Sequence, residues 1–176
     1  LMYTLPKLSQ ESSQAKESLY WQLGGHPQAL MLADGWLAAG QDIEALLEKP
    51  PVPNRDTAAW IKYFVSTLLR HLDPGERQVL EAAAILHQPF KAQELTEFTP
   101  LTPSHAASRL REWSTYHLIE PVNGEMEPSY GFQSNVREII LNKLDSETRQ
   151  TLHLQAAAHY RSPFWDAARR QALSRS

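Results

Sequence analysis

The fold is decided by residues 72–136, which read LDPGERQVLEAAAILHQPFKAQELTEFTPLTPSHAASRLREWSTYHLIEPVNGEMEPSYGFQSNV. Asp73 can cap the free amides of a helix, Pro74 suits its first position, and Glu76 can reach back to complete a capping box. Apolar residues follow at helical spacing, at Val79, Leu80, Ala83 and Leu86. The stretch therefore predicts a helix that begins at Pro74 and has one apolar side.

Two further helices are predicted next. Pro89-Phe90 interrupts the first helix, and apolar residues mark a short second one at Ala92, Leu95 and Phe98. A turn is predicted after it, where residues that favour turns cluster at Pro100, Thr102 and Pro103. The third helix has an apolar face formed by Ala106, Leu110, Trp113 and His117.

A β-hairpin is predicted after the third helix. Residues 118–122 are suited to a strand, Asn123-Gly124 is a strong signal for a two-residue turn, and Tyr130-Gly131-Phe132 returns the chain. Three short helices followed by a hairpin is the order of a winged helix-turn-helix. We therefore predict that fold for this stretch.

The rest of the chain is predicted to be helical. Upstream helices are expected from a cap at Ser9 to about Leu23, from 27 to Gly40, and at 42–47, with glycines ending the first two. Asp56 is expected to cap a helix that leads into the winged helix. Downstream helices are expected at 136–144 and 146–160, and residues 164–173 suit either a last helix or a frayed end.

We therefore expect a mainly α protein: a small helical bundle, then a winged helix-turn-helix with a short β-hairpin wing, then a helical tail. The corresponding domains are predicted at residues 1–50, 54–145 and 146–176. The proline-rich segment Lys49-Pro50-Pro51-Val52-Pro53 forms a stiff linker between the first two. The tail is a candidate for the start of a helical repeat or a sensor region.

Composition excludes several classes of function. The 176-residue chain has a net charge of −3, so it shows no general preference for polyanions. It has no cysteine, which excludes disulfide scaffolds, thiol catalysis and cysteine-ligated zinc. No apolar run approaches membrane-spanning length, and the start is not a signal peptide, so we expect a cytoplasmic protein that does not bind membranes. Because the chain begins at Leu1, we also expect a piece of a longer protein.

Three motifs occur in a distinctive order. They are the lead-in Leu5-Pro6-Lys7-Leu8-Ser9, the turn Gly24-Gly25-His26-Pro27-Gln28-Ala29-Leu30, and, after the hairpin, Phe132-Gln133-Ser134-Asn135-Val136-Arg137-Glu138. In this order, residues 5–160 resemble the C-terminal arm of STAND signal-transduction ATPases, the group that includes NB-ARC proteins. In that family a glycine-rich turn with an x-Pro step opens a helix of a small lid domain. The last helix of the family's winged helix starts near a Phe/Met-His-x-x-Val-Arg-Glu-like motif.

The resemblance implies a regulatory module that closes over an upstream nucleotide-binding domain of the same chain and couples ATP or ADP state to signalling or self-association. Pro27 would pack near the adenine, with His26 beside it. The alternative interpretations are an ordinary helix start at Pro27 and a polar turn residue at His26. Gln133 occupies a position where the family commonly has a histidine that contacts the β-phosphate of ADP, and the alternative interpretation of Gln133 is a capping or turn amide. Glutamine donates a hydrogen bond but carries no titratable charge, which argues against a tightly ADP-locked resting state.

The chain itself is not expected to be an enzyme. The family's phosphate-binding loop and acidic magnesium-binding strand are absent from the sequence, so ATP or ADP is expected only in the full-length protein. The seven histidines are scattered, and His153 and His159, six residues apart, do not share a helix face as a metal pair would. We therefore predict no catalytic residue and no metal site.

The main alternative is a DNA-binding transcriptional regulator with a helical effector or dimerisation extension. The face of the third helix that would enter the major groove carries one cation among small polar residues: Ser104, Ser108, Arg111 and Thr115. The wing carries Glu120, Glu125 and Glu127, which have the wrong sign for phosphates. DNA binding is therefore disfavoured, and a protein-interaction domain with the winged helix as its scaffold is a third possibility.

Overall fold

The computed structural model describes residues 5–52, 56–86, 89–122 and 128–158. After a 3-10 turn at Leu8–Gln10, eight helices have defined ends: α1 Ser13–Gln22, α2 Pro27–Ala38, α3 Ile43–Glu48, α4 Thr57–His71, α5 Pro74–Ile85, α6 Ala92–Phe98, α7 Pro103–Thr115 and α8 Ser134–Leu141. Two strands, β1 Glu120–Val122 and β2 Ser129–Gly131, lie between α7 and α8. Residues 146–158 form a further helix, α9. The predicted mainly α fold with a β-hairpin is therefore confirmed.

Most predicted helix starts are confirmed by cap geometry. The side chains of Asp42, Asp56 and Asp73 accept hydrogen bonds from backbone amides in the first turns of α3, α4 and α5. The capping box of α5 is complete, because the Asp73 amide donates to Glu76 Oε2 at 3.0 Å and the Glu76 amide donates to Asp73 Oδ1 at 2.8 Å. These caps need only short-range sequence signals, which explains why the sequence predicts them.

The prediction that Ser9 caps the first helix is wrong. Ser9 belongs to the 3-10 turn, and Glu11 and Ser12 are extended, with ψ angles of 159° and 150°. The cap of α1 is Ser12, whose hydroxyl accepts a hydrogen bond from the Ala15 amide at 3.1 Å. Two extended residues cannot continue a helix, so the turn and α1 are separate.

His117 also departs from its prediction. It was expected on the apolar face of the third helix, but α7 ends at Thr115 and His117 has a φ of 55°. The amides of His117 and Leu118 donate to the carbonyls of Ser114 and Trp113 at 3.1 and 3.0 Å, closing the end of the helix. The left-handed backbone conformation turns His117 out of the helical pattern.

The wing is an antiparallel pair in which Glu120 faces Gly131 and Val122 faces Ser129. Six residues, 123–128, therefore lie between the paired residues Val122 and Ser129. A two-residue turn directly after Val122 would leave only two residues between paired positions. The predicted Asn123-Gly124 turn itself lies outside the described residues. The backbone of Tyr130 exchanges hydrogen bonds of 2.8 and 2.9 Å with Phe90, so a contact distant in sequence helps to set the register of β2.

One continuous apolar core runs through the described residues. In the winged helix it contains Trp113, Leu110 and Leu80, none of them measurably exposed. It extends through α4 into α2, because Phe64 stacks on Trp60 at 5.5 Å between ring centroids and meets the edge of Trp36 at 5.9 Å. We call residues 5–52, with α1 to α3, the helical unit.

Within the described part, no helix has the length and apolar character needed to cross a membrane.

Candidate functional site at the junction of the helical unit and the winged helix

The starts of α2, α4 and α8 meet around a groove of about 460 Å³, which we call the junction groove. Its apolar lining comes from α4 and α8, at Ala58, Ile61 and Ile139. Its polar lining is formed by His26, Gln28, Thr57, Lys62, Asn135 and Glu138. A volume of this size with an apolar surface and a few polar groups is within the range of small-molecule sites.

The turn before α2 brings His26 to the groove. Gly24 and Gly25 have φ angles of 65° and 67°, a backbone conformation that glycine adopts without steric cost. A Cβ on Gly25 would lie 2.6 Å from the ring of Tyr20, so the turn also packs closely against the end of α1. Pro27 then starts α2 at its first position, as predicted.

A pair of amide side chains bridges the groove. Gln28, in the first turn of α2, and Asn135, in the first turn of α8, each donate a hydrogen bond to the other. The Asn135 oxygen also accepts the Val136 amide at 2.8 Å, which fixes the side chain against its own helix. The pair joins residues 107 positions apart, linking the helical unit directly to the last helix of the winged helix.

Two of the helices that begin at the groove receive no cap from the side chain of the preceding residue. His26 precedes α2 and Gln133 precedes α8, and neither side chain accepts a hydrogen bond from the first turn of its helix. Helix N-termini carry partial positive charge and favour polar or anionic ligand atoms. Lys62 adds a full positive charge to the lining and Glu138 a negative one, so the groove has mixed polarity.

The three predicted cofactor-binding residues occupy different surroundings. His26 lines the junction groove, and Pro27 follows it as an exposed residue. The Gln133 side chain instead donates a hydrogen bond to the Glu120 carboxylate on β1. Gln28 and Asn135, which the sequence analysis did not single out, provide the polar contact across the groove. No local signal pairs them, because each lies in an ordinary helix start.

The surface relevant to DNA binding has few available cations. Ser104, Ser108, Arg111 and Thr115 are exposed on α7, on the side expected from the helical pattern. Arg109, in contrast, pairs with the carboxylates of Glu76 and Glu112. Its hydrogen bond to Glu112 raises the pKa of the guanidinium. The positive charge of Arg109 is therefore balanced by carboxylates of the protein itself.

The chain matches no protein-family model and no curated protein sequence. Any functional assignment of the junction groove therefore depends on the residues that line it and on the order of the sequence motifs. Within the described residues, no group of three or more histidine, cysteine, aspartate or glutamate side chains is arranged to hold a metal ion.

Proposed function

We propose that this chain is the non-catalytic regulatory module of a STAND-type ATPase. In this proposal it closes over an upstream nucleotide-binding domain of the same chain, in the cytoplasm, and couples ATP or ADP state to signalling or self-association. The observation that carries the proposal is the junction groove. It joins two of the motifs on which the family resemblance rests, the turn at 24–30 and the segment at 132–138, although about a hundred residues separate them.

The lining residues are compatible with part of a purine nucleotide. An apolar surface at Ile61 and Ile139 suits the face of a base, while the amides of Gln28 and Asn135 suit its polar edge. The uncapped N-termini of α2 and α8 suit phosphate oxygens. In this proposal these groups bind and orient the nucleotide, and the residues that cleave it belong to the upstream domain.

Gln133 has a particular role in the proposal. Its hydrogen bond to Glu120 occupies the side chain that the family resemblance assigns to the nucleotide phosphate. The Gln133 amide nitrogen carries two N–H donors, so the one that does not bond to Glu120 could donate to a phosphate. We propose that this shared amide couples the bound nucleotide to the wing, because Glu120 is the first residue of β1.

The test uses the full-length protein and measures ADP affinity by titration calorimetry and ATP-dependent assembly by light scattering. Pro27→Gly, Gln28→Ala and Gln133→Ala are expected to weaken ADP binding about tenfold, the effect of losing one good contact. Gln93→Ala, an exposed glutamine on α6, is the matched control and should change neither quantity. If the Pro27 and Gln133 variants leave both ADP affinity and assembly unchanged, the nucleotide role is refuted.

A further inference from the structure

We propose that Asp34 is a positioning residue that couples the lead-in at residues 5–9 to the orientation of the winged helix. One side chain holds both segments, so neither moves without disturbing the other. The regulatory use of this coupling rests on the proposed function. The coupling itself depends only on contacts within the chain.

Asp34 is a buried carboxylate with three donors. It lies within α2 and is only 1% exposed. Its Oδ1 accepts the backbone amides of Lys7 at 2.9 Å and Leu8 at 2.7 Å, and its Oδ2 lies 3.3 Å from His117 Nε2. A buried carboxylate is strongly destabilising unless it is paired and hydrogen-bonded. The three donors must therefore stay together for Asp34 to stay buried.

The donors belong to two different parts of the fold. Lys7 and Leu8 lie at the 3-10 turn that precedes α1, whereas His117 follows α7 of the winged helix. His117 has little freedom to move away, because its left-handed backbone conformation is fixed by the hydrogen bonds that close α7. Such a conformation is uncommon for a residue with a side chain and persists only when its surroundings maintain it.

Gly35, the residue after Asp34, packs against the backbone that leads to His117 and so restricts movement of Asp34 relative to His117. A Cβ on Gly35 would lie 2.7 Å from the Cα of Tyr116 and closer still to its carbonyl group. The backbones of α2 and of the segment after α7 are therefore in direct contact, and a shift of either changes the distance from Asp34 to His117. Withdrawal of the lead-in would likewise remove two of the three donors from the carboxylate.

The coupling predicts effects between residues that do not touch. His117→Asn keeps a residue type that tolerates the left-handed conformation but removes the imidazole. In the 176-residue chain, this variant should speed amide hydrogen exchange of Lys7 and Leu8 about tenfold, measured by NMR. Tyr116→Phe is the matched control, because Tyr116 directly precedes His117 but does not bond to Asp34. The variant removes only the hydrogen bond from the Tyr116 hydroxyl to Glu112. It should leave these two amides unchanged.

The reverse effect must also occur, because coupling between two sites is reciprocal. Lys7 has a φ of −80°, within reach of proline, so Lys7→Pro removes one donor to Asp34. This variant should speed exchange of the His117 and Leu118 amides while the Trp60 amide, which donates to the Asp56 carbonyl at the start of α4, keeps its rate. If neither variant affects the opposite segment, or if Trp60 accelerates to the same extent, Asp34 does not couple the segments. No nucleotide is present, so this failure is distinguishable from failure of the proposed function.

Discussion

Arg109 and Glu76 form an ion pair that joins the middle of α7 to the first turn of α5. The other oxygen of Glu76 accepts the Asp73 amide, so the same carboxylate completes the capping box. Arg109 also donates to Glu112 at 2.8 Å, and Glu112 accepts the hydroxyl of Tyr116 at 3.0 Å. The helix that reads bases in DNA-binding winged helices here has its central arginine committed to internal contacts.

Replacing Arg109 should weaken the winged helix. Arg109→Gln removes the link between α5 and α7, and because the side chain is partly exposed the loss of unfolding free energy should be about 1 kcal/mol. Arg111→Gln, on the exposed face two residues away, is the control and should lie within about 0.5 kcal/mol of wild type. Urea denaturation measures both. Equal losses for the two variants would contradict a structural role specific to Arg109.

The same ion pairs predict weak DNA binding. Phosphate neutralisation supplies most non-specific affinity, and among the arginines of α7 only Arg111 is exposed. In an anisotropy titration with a mixed-sequence duplex at about 0.1 M salt, we expect no saturation below about 10 µM protein. Tight binding that weakens steeply with salt, and again on Arg111→Gln replacement, would instead support the DNA-binding alternative.

Gly35 should not tolerate even a methyl group. Glycine within a helix normally costs about 1 kcal/mol relative to alanine, so alanine would otherwise be favourable there. The close approach of Tyr116 reverses the sign, and Gly35→Ala should destabilise the chain by about 1–3 kcal/mol through overpacking. Gly75→Ala in α5 is the control, since its Cβ would meet only Asp73 Oδ1 at 3.3 Å. Thermal unfolding should show a lower midpoint for the Gly35 variant alone.

What the sequence could predict was set by the distance between interacting residues. The capping box joins Asp73 to Glu76, and the amphipathic pattern of α5 lies within one helix. Both can therefore be predicted from a short stretch of sequence. The amide pair of Gln28 and Asn135 spans 107 positions, and no pattern in a single sequence connects them. Asp34 was missed because it lies among apolar residues of α2, with donors 26 and 83 positions away.

The register of the hairpin involves a contact that is distant in sequence. Asn123-Gly124 favours a two-residue turn, but the register of β2 is also constrained by its pairing with Phe90 in the connection between α5 and α6. His117 continues the helical spacing of Ala106, Leu110 and Trp113, yet α7 ends at Thr115 and His117 has a left-handed backbone conformation. The sequence could predict which elements form and where the aspartate-capped helices start, whereas it predicted neither the end of α7 nor the pairing of β2 with Phe90.

The amide pair should show measurable coupling. Gln28→Ala and Asn135→Ala each remove one partner, and a net amide hydrogen bond contributes about 1 kcal/mol. In a double-mutant cycle the second substitution should cost less once the first is present, with a coupling energy of about 0.5–1.5 kcal/mol. Gln93→Ala combined with Asn135→Ala is the control and should be additive. Additivity in both cycles would show that the pair does not connect α2 to α8 energetically.

Glu81 should make stability depend on pH. It lies in α5 beside a groove of about 300 Å³ that is also lined by Thr148 and Leu152 of α9. Burial raises the pKa of its carboxyl above the ordinary value of 4.5. The positive charge of Arg77 lowers this pKa by a smaller amount, and the negative charge of Asp145 raises it further. The folded state therefore holds this proton more tightly than the unfolded state.

The sign of the effect follows from that difference. The stabilisation from protonated Glu81 is complete below about pH 4.5 and is lost as the pH rises through the raised pKa of the folded state. Glu81→Gln keeps the neutral form at every pH, so its unfolding midpoint should match wild type near about pH 4 and exceed it near about pH 7. Glu17→Gln, an exposed carboxylate on α1, is the control for the general loss of one negative charge. Only a proton bound more tightly in the folded state makes the difference in unfolding midpoint between Glu81→Gln and wild type grow with pH. If this difference stays constant across the range, burial does not disfavour the charged carboxylate.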